Sequence, residues 1–207
     1  MYKDIYKFFV ISLLVISLTF VSFITNFNYV LNNKETYSTI EDQETNDKIL
    51  GYYQDKDNLD DTKLNQREKE HLADVKSIIT AMQSFNFFLI SLTIIILFAL
   101  FSIYGKEINL GKVLITTGIT SIALIGTFLV AILINFNATF TLMHNLLFKP
   151  GTWTFNNQTE LLTRIYPIEF FSSFGKNLGI NIIITSVVII ILGIIIKKFI
   201  YGPKAVK

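Results

Sequence analysis

FFVISLLVISLTFVSFITNFNYVLNN, residues 8–33, contains no Asp, Glu, Lys or Arg. A helix needs about 20 apolar residues to cross a hydrocarbon core of roughly 30 Å, and this stretch supplies them. The same is true of three more charge-free windows, Ser77–Gly105, Val113–Phe148 and Asn177–Ile196. A soluble chain of 207 residues could not cover four such windows with the polar surface left to it. The fold class expected is therefore an all-α integral membrane protein of four transmembrane helices, near 8–30, 84–104, 113–135 and 178–197. The third window is longer than a span requires, so part of it must leave the membrane. The first stretch reads as an uncleaved span. It is too long for a signal-peptide h-region, and no A-x-A-like site follows it.

Lys and Arg in short flanks set orientation. Lys3 and Lys7 precede the first span, Lys106 and Lys112 lie around the tight connection after the second, and Lys197, Lys198, Lys204 and Lys207 follow the fourth. These segments, with both termini, are expected on the cytoplasmic side. The loops of about 31–83 and 136–177 then form an extracytoplasmic cap on a single membrane domain. Loop 31–83 carries seven basic and twelve acidic residues, a poor cytoplasmic loop and an ordinary external one. The net charge of +2 gives no sign of nucleic-acid binding. With no cysteine, disulfides, thiolate metal sites and a Cys nucleophile are all excluded.

The two loops read differently. Residues 34–62 have few anchoring apolar residues and are expected to be irregular or weakly strand-like. From Asn65 the pattern turns helical: Asn65 with Glu68 matches an N-cap and its N3 partner, and the helix should merge into the second span. Glu68, His71, Asp74 or Val75, and Ile78 share one face of it. The segment 136–177 is aromatic and amphipathic, suited to the membrane interface. The spacing of Phe140, His144, Leu147 and Phe148 predicts a short helix, broken at Pro150-Gly151. A second helical stretch is expected over Thr159–Ile165, ending before Pro167.

The chain has two histidines, His71 and His144, both in these loops. Each falls on a helical face beside apolar residues. A lone histidine is most often structural, but nothing else in these loops exchanges protons near pH 7. Asp74 is the natural candidate to orient His71, with a solvated helix charge as its ordinary alternative. Arg164 could bind a phosphate or carbonyl, or simply anchor a helix. The Glu68-x-x-His71 pair is one half of a doubled motif that binds two metals, with only His144, Glu160 and Glu169 to complement it. No metal and no cofactor is expected. A phosphate-binding glycine loop, a G-x-S-x-G elbow and an H-E-x-x-H motif are all lacking, which removes most hydrolase and nucleotide-driven readings.

Glu68-Lys-Glu-His71-Leu-Ala-Asp74-Val75 resembles the E-x-x-H-x-x-D-V element of the lipoprotein intramolecular transacylases (Lit). His144-Asn-Leu-Leu-Phe148, Trp153-Thr-Phe155, Leu161-Leu162, Pro167 and Phe170-Phe171 resemble that family's second external element. Glu160 stands where the family pattern has an acidic residue after the Trp. The resemblance implies an outer-leaflet acyltransferase whose substrates are bacterial lipoproteins with an N-terminal S-diacylglyceryl cysteine. The sn-2 acyl chain moves from the glyceryl oxygen to the cysteine α-amino group, leaving a lyso-form lipoprotein. It further implies that His71 and His144 are the catalytic pair, with acid and base roles unassigned. Glu68, Phe148, Trp153 and Arg164 are candidate substrate contacts, and membrane lipid surrounds the site.

That chemistry suits the residues present. Donor and acceptor belong to one molecule, so no Ser or Cys nucleophile is needed, and ester-to-amide exchange needs no nucleotide. A competing reading is a non-catalytic four-span accessory or sensor subunit that binds a partner through its outer loops. It predicts tolerance of both histidine changes, where an acyltransferase predicts loss of activity. A metal-dependent membrane hydrolase is a third reading, separable by metal analysis.

Overall fold

The computed structural model describes residues 2–201, apart from the side chains of Tyr2 and Lys106. Lys204 and Lys207, used above for orientation, lie outside the described residues, and no strand occurs among them. The elements are α1 (Tyr2–Asn32), a 3-10 turn (Lys34–Tyr37), α2 (Gln43–Tyr53), α3 (Gln66–Tyr104), a second 3-10 turn (Gly105–Glu107), α4 (Leu110–Ile134), α5 (Phe136–Leu147), α6 (Leu162–Ile165) and α7 (Ile168–Tyr201). Four helices are long and apolar enough to cross a membrane: α1, α3, α4 and α7. The chain is a multi-pass membrane protein with the four spans its charge-free windows predict.

α3 far outruns a span. At 1.5 Å per residue, the 39 residues of α3 extend about 58 Å, nearly twice the hydrocarbon core. Its charged residues all lie in the first turns, Arg67 to Lys76, before the charge-free stretch from Ser77, and His71 is among them. The long third window divides at Asn135. Its extended backbone (φ −156°, ψ 93°) ends α4, and its side chain accepts from Ala138 N to cap α5. The two helices thus share one charge-free run.

Packing divides the chain into two compact units, residues 1–27, 84–127 and 179–207 forming one, and residues 28–83 and 128–178 the other. The first holds an apolar cluster of Leu14, Val15, Ile96, Leu100, Ile108 and Val113. Hydroxyls and amides join its helices: Ser17 Oγ lies 2.7 Å from Thr93 Oγ1 in a buried pair, and the half-buried Thr185 Oγ1 donates to Asn26 Oδ1 at 3.1 Å. α4 and α7 meet at glycines. A Cβ on Gly111 would lie 2.5 Å from the Gly193 carbonyl oxygen, so only hydrogen fits there. The turn between α3 and α4 is tight because Gly105 takes φ +53°, a left-handed conformation that glycine adopts without a side-chain clash.

The second unit buries Tyr37, Ile40, Ile49, Leu59, Leu64, Leu72, Leu162 and Ile165. Residues 34–62 contribute half of that core. None of them is in a strand; 34–37 form a 3-10 turn and 43–53 the eleven-residue α2, while 38–42 and 54–62 are turns, bends and irregular backbone, as expected. Asp42 caps α2, its carboxylate accepting from Thr45 N (3.1 Å) and Thr45 Oγ1 (2.8 Å). The apolar anchors of α2 are crowded at its C-terminal end, so periodicity does not reveal it; burial of Ile49 and a cap make it helical. α6 is shorter than the expected Thr159–Ile165. Residues 156–161 are instead a turn closed by Glu160 N on Asn156 O (2.8 Å). Pro167 separates α6 from α7, as expected.

Candidate active site

α3 begins with the predicted capping box. Asn65 Oδ1 accepts from Glu68 N (2.9 Å), and Glu68 Oε2 accepts from Asn65 N (2.8 Å), satisfying two donors at the helix start. The other oxygen, Glu68 Oε1, accepts from Leu162 N at 2.6 Å, ninety-four residues away. Glu68 is buried, and its carboxylate joins the start of α3 to α6. It serves as a tie between segments, with two backbone N–H groups on its oxygens.

Beside it, Arg67 makes a second tie. Its guanidinium pairs with the buried Glu160 (Nη1 to Oε1, 3.1 Å) and donates from Nη2 to the carbonyl oxygens of Gly151 (3.0 Å) and Thr154. It also lies over the Phe155 ring, 4.9 Å from the centroid. Glu160 Oε2 in turn accepts from Asn156 N at 2.6 Å. The acidic residue singled out after Trp153 is therefore half of an ion pair that fastens the 151–156 loop to α3. Arg67 was not among the residues singled out from the sequence. Its signal was there: a cation in the first turn of a helix opposes the helix dipole, so its presence needs another cause.

These ties carry the aromatic residues of 148–155 onto the histidine face of α3. The His71 ring contacts Phe148 (centroids 4.7 Å) and Phe155 (5.2 Å, edge-on). α5 brings His144 to the same ring, 5.4 Å from Phe148, with Trp153 at 4.9 Å and Phe140 at 3.9 Å. Two histidines 73 residues apart thus pack against one phenylalanine, inside one compact unit. Both are buried.

Their surroundings differ. His144 Nδ1 lies 2.9 Å from Phe140 O. A carbonyl can only accept, so the neutral ring carries its proton on Nδ1 and leaves the Nε2 lone pair free. Burial lowers the His144 pKa, and the Phe140 hydrogen bond partly opposes that. His71 is pushed down to about 4, first by burial and then by the His144 charge, with Asp74 acting in the opposite sense and Arg67 adding a small decrease. Its Nδ1 is buried with no hydrogen-bond partner, as is Trp153 Nε1.

Of the other expected site residues, Phe148 and Trp153 are brought to the histidine pair. Asp74 is exposed one turn beyond His71 and makes no hydrogen bond to it, acting on it through charge alone. Arg164, on α6, is exposed, and among the described residues none hydrogen-bonds or pairs with its guanidinium. The arrangement offers a free imidazole nitrogen, a second neutral imidazole and an aromatic wall. Together they suit proton transfer beside an apolar substrate.

Known proteins share this arrangement of elements. The lipoprotein intramolecular transacylase Lit family matches residues 4–171. The membrane-integral lipoprotein intramolecular transacylase Lit from Bacillus cereus has the same fold. The TM-score is 0.80 at 21% identity, covering 94% of this chain and 97% of that one. A form of the Bacillus cereus protein with one histidine replaced by alanine superposes with a TM-score of 0.78 at 18% identity, over 98% of both chains. An uncharacterised protein of Aquifex aeolicus (strain VF5) is 27% identical over 139 residues, 67% of this chain. The match spans 60% of that relative's length. With four apolar helices, and a family match from before the first span to the start of the fourth, the chain belongs to the lipoprotein intramolecular transacylase (Lit) family.

Proposed function

We propose that this protein moves the sn-2 acyl chain of an S-diacylglyceryl cysteine to the cysteine α-amino group of a bacterial lipoprotein. The observation that carries the reading is the meeting of His71 and His144 on Phe148, with His144 Nε2 left free by the Nδ1 bond to Phe140. A free α-amino group has a pKa of about 7.7–8.0, so near neutrality it enters largely as ammonium. Nε2 of His144 takes that proton, and the amine nitrogen attacks the sn-2 ester carbonyl. The tetrahedral intermediate collapses with cleavage of the carbon–oxygen bond to glycerol. The nitrogen gives up two protons between ammonium and amide: one passes to the glyceryl oxygen, and the one His144 took is released to solvent, so a single proton is lost overall. His71, held neutral, suits the leaving-oxygen end, where a proton is handed over and recovered without a standing charge.

Positioning carries much of the rest. Holding amine and carbonyl in contact can supply as much as roughly 7–11 kcal/mol of the barrier, and proton transfer typically adds about 10²–10⁴-fold. Phe140, Phe148, Trp153 and Phe171 offer the apolar surface that acyl chains need. The same reading puts both termini in the cytoplasm and the histidine pair at the extracytoplasmic surface, supported by Lys3, Lys7, Lys112, Lys197 and Lys198 flanking the spans. In this cysteine-free chain, a single cysteine at Asn58 should react with an impermeant maleimide on intact cells. Reaction only after lysis would reverse the orientation.

The deciding experiment is expression in a bacterium lacking the activity, with mass spectrometry of one lipoprotein's N-terminal peptide. The parent chain should yield the lyso form. His71→Ala and His144→Ala should abolish it while the protein still accumulates in the membrane. Near-parental lyso-lipoprotein in either variant would remove that histidine from the mechanism.

A further inference from the structure

Acyl transfer to an amine passes through a tetrahedral intermediate whose carbonyl oxygen gains negative charge. Neither proton-transfer role given to the histidines supplies a donor for that oxygen. We propose that the indole N–H of Trp153 is that donor, a catalytic hydrogen bond to the substrate's sn-2 carbonyl oxygen. This deepens the acyltransferase reading and rests on it.

Three observations converge on Trp153. Its Nε1 is buried and has no hydrogen-bond partner. An indole nitrogen can only donate, and a buried donor left unmet costs about 1–3 kcal/mol. Native structures keep few such groups, and a group kept at that cost calls for an acceptor the resting protein does not provide. Among the described residues eight buried side-chain nitrogen and oxygen atoms have no partner, and the two that are ring nitrogens are Trp153 Nε1 and His71 Nδ1. Both belong to the aromatic cluster that holds the free Nε2 of His144.

The second observation is place. The indole ring lies 4.9 Å from the His144 ring, and Phe140 meets it edge-on at 6.3 Å. An acyl carbonyl attacked by an amine at His144 would lie beside this indole. The third is rigidity. Arg67 donates to the carbonyls of Gly151 and Thr154, which bracket Trp153, while pairing with Glu160. One side chain on α3 therefore fixes the backbone on both sides of the indole. A donor acts on developing charge in proportion to how little it must reorganise, and this one is pinned beforehand.

The balance of the step is unchanged. The hydrogen bond forms to the carbonyl oxygen as its π electrons move onto it and is released as the C=O reforms. No proton leaves the indole.

The test replaces Trp153 by β-(3-benzothienyl)alanine through amber suppression in the full-length chain. This residue keeps the two-ring shape and puts sulfur where the N–H was. Reconstituted in lipid vesicles and given a synthetic diacylglyceryl-cysteine peptide, the variant should lose about 100-fold in kcat, the scale of removing one oxyanion donor. KM and thermal midpoint should stay near the parent's. Inhibition by two unreactive analogues gives a readout that ring packing would not move. The parent should bind an sn-2 amide, which has a carbonyl, more tightly than an sn-2 ether, which has none, and the variant should not distinguish them. Should the variant fail to assemble, Trp153→Phe carries the same predictions for kcat and for the analogue pair.

Activity within twofold of the parent, or an unchanged preference for the amide, overturns the assignment. His144→Ala in the same assay separates the two claims. A parent that is active and a His144→Ala variant that is inactive leave the acyltransferase reading standing even when the Trp153 assignment falls. A parent with no activity on the peptide sinks both.

Discussion

His71 and His144 are both withdrawn from water, and burial favours the neutral ring in each. For a base the sign is simple: it accepts a proton only when neutral, so activity falls as pH drops through its own pKa. Because the His144 pKa lies below the ordinary 6.5, the acid limb of the kcat–pH profile should be centred below pH 6.5. A limb above that value in vesicle-reconstituted protein that does not move with the pKa of the substrate amine would show that His144 is not the base. Stability should follow the same direction. Between the ordinary 6.5 and about 4 the unfolded chain binds a proton that folded His71 refuses. His71's contribution is thus fully present above pH 6.5 and is lost as pH falls towards 4. His71→Gln should flatten that part of a melting-temperature profile, and an unchanged slope would show that other groups set it.

Helix ends decide where these side chains point. α4 and α5 lie in one charge-free run, and Asn135 alone breaks it, by its extended backbone and its bond to Ala138 N (3.0 Å). Asn135→Leu removes the cap and leaves an apolar run with no internal stop. Loss of such a cap costs about 0.5–2 kcal/mol. A continued helix would also swing His144 away from Phe148, so lyso-lipoprotein formation should fall by more than tenfold. Retained activity would mean that tertiary contacts alone hold α5 in place. The start of α3 was legible as a capping box because Asn65 and Glu68 are local partners. The tie from Glu68 to Leu162 N was not, since a carboxylate's second oxygen is free to meet any donor the fold delivers. α2 escaped the sequence reading for a related reason: its single fully buried apolar residue, Ile49, acquires meaning only once the core around it exists.

Across the molecule, long apolar helices need a reason to associate other than burial of apolar surface, because lipid is as apolar as leucine. In the membrane-spanning unit the reason is close approach at glycine, with hydroxyl and amide pairs alongside. Gly111→Ala would place a methyl 2.5 Å from the Gly193 carbonyl oxygen, whereas a methyl on Gly126 meets nothing within 4 Å. The first substitution should destabilise the protein by about 1–3 kcal/mol, the range for overpacking a tight contact, and the second should leave it unchanged. Thermal aggregation of the two variants in detergent checks this, and equal behaviour would argue against α4–α7 contact as a source of stability. The sequence by itself determined the spans, the need for part of the third charge-free window to leave the membrane, and the capped start of α3. Each depends on residues adjacent in the chain, through charge-free length, local hydrogen bonding or local backbone preference. It also marked both histidines, because composition left no other group to exchange protons near neutrality. Only the tertiary structure decided that His71 and His144 share Phe148 and that Arg67 and Glu68 fasten the later loop. Apart from His144 and Phe148, four residues apart on one helix end, the partners in those contacts lie 77 to 94 residues apart, and nothing in the local chain encodes which groups will meet.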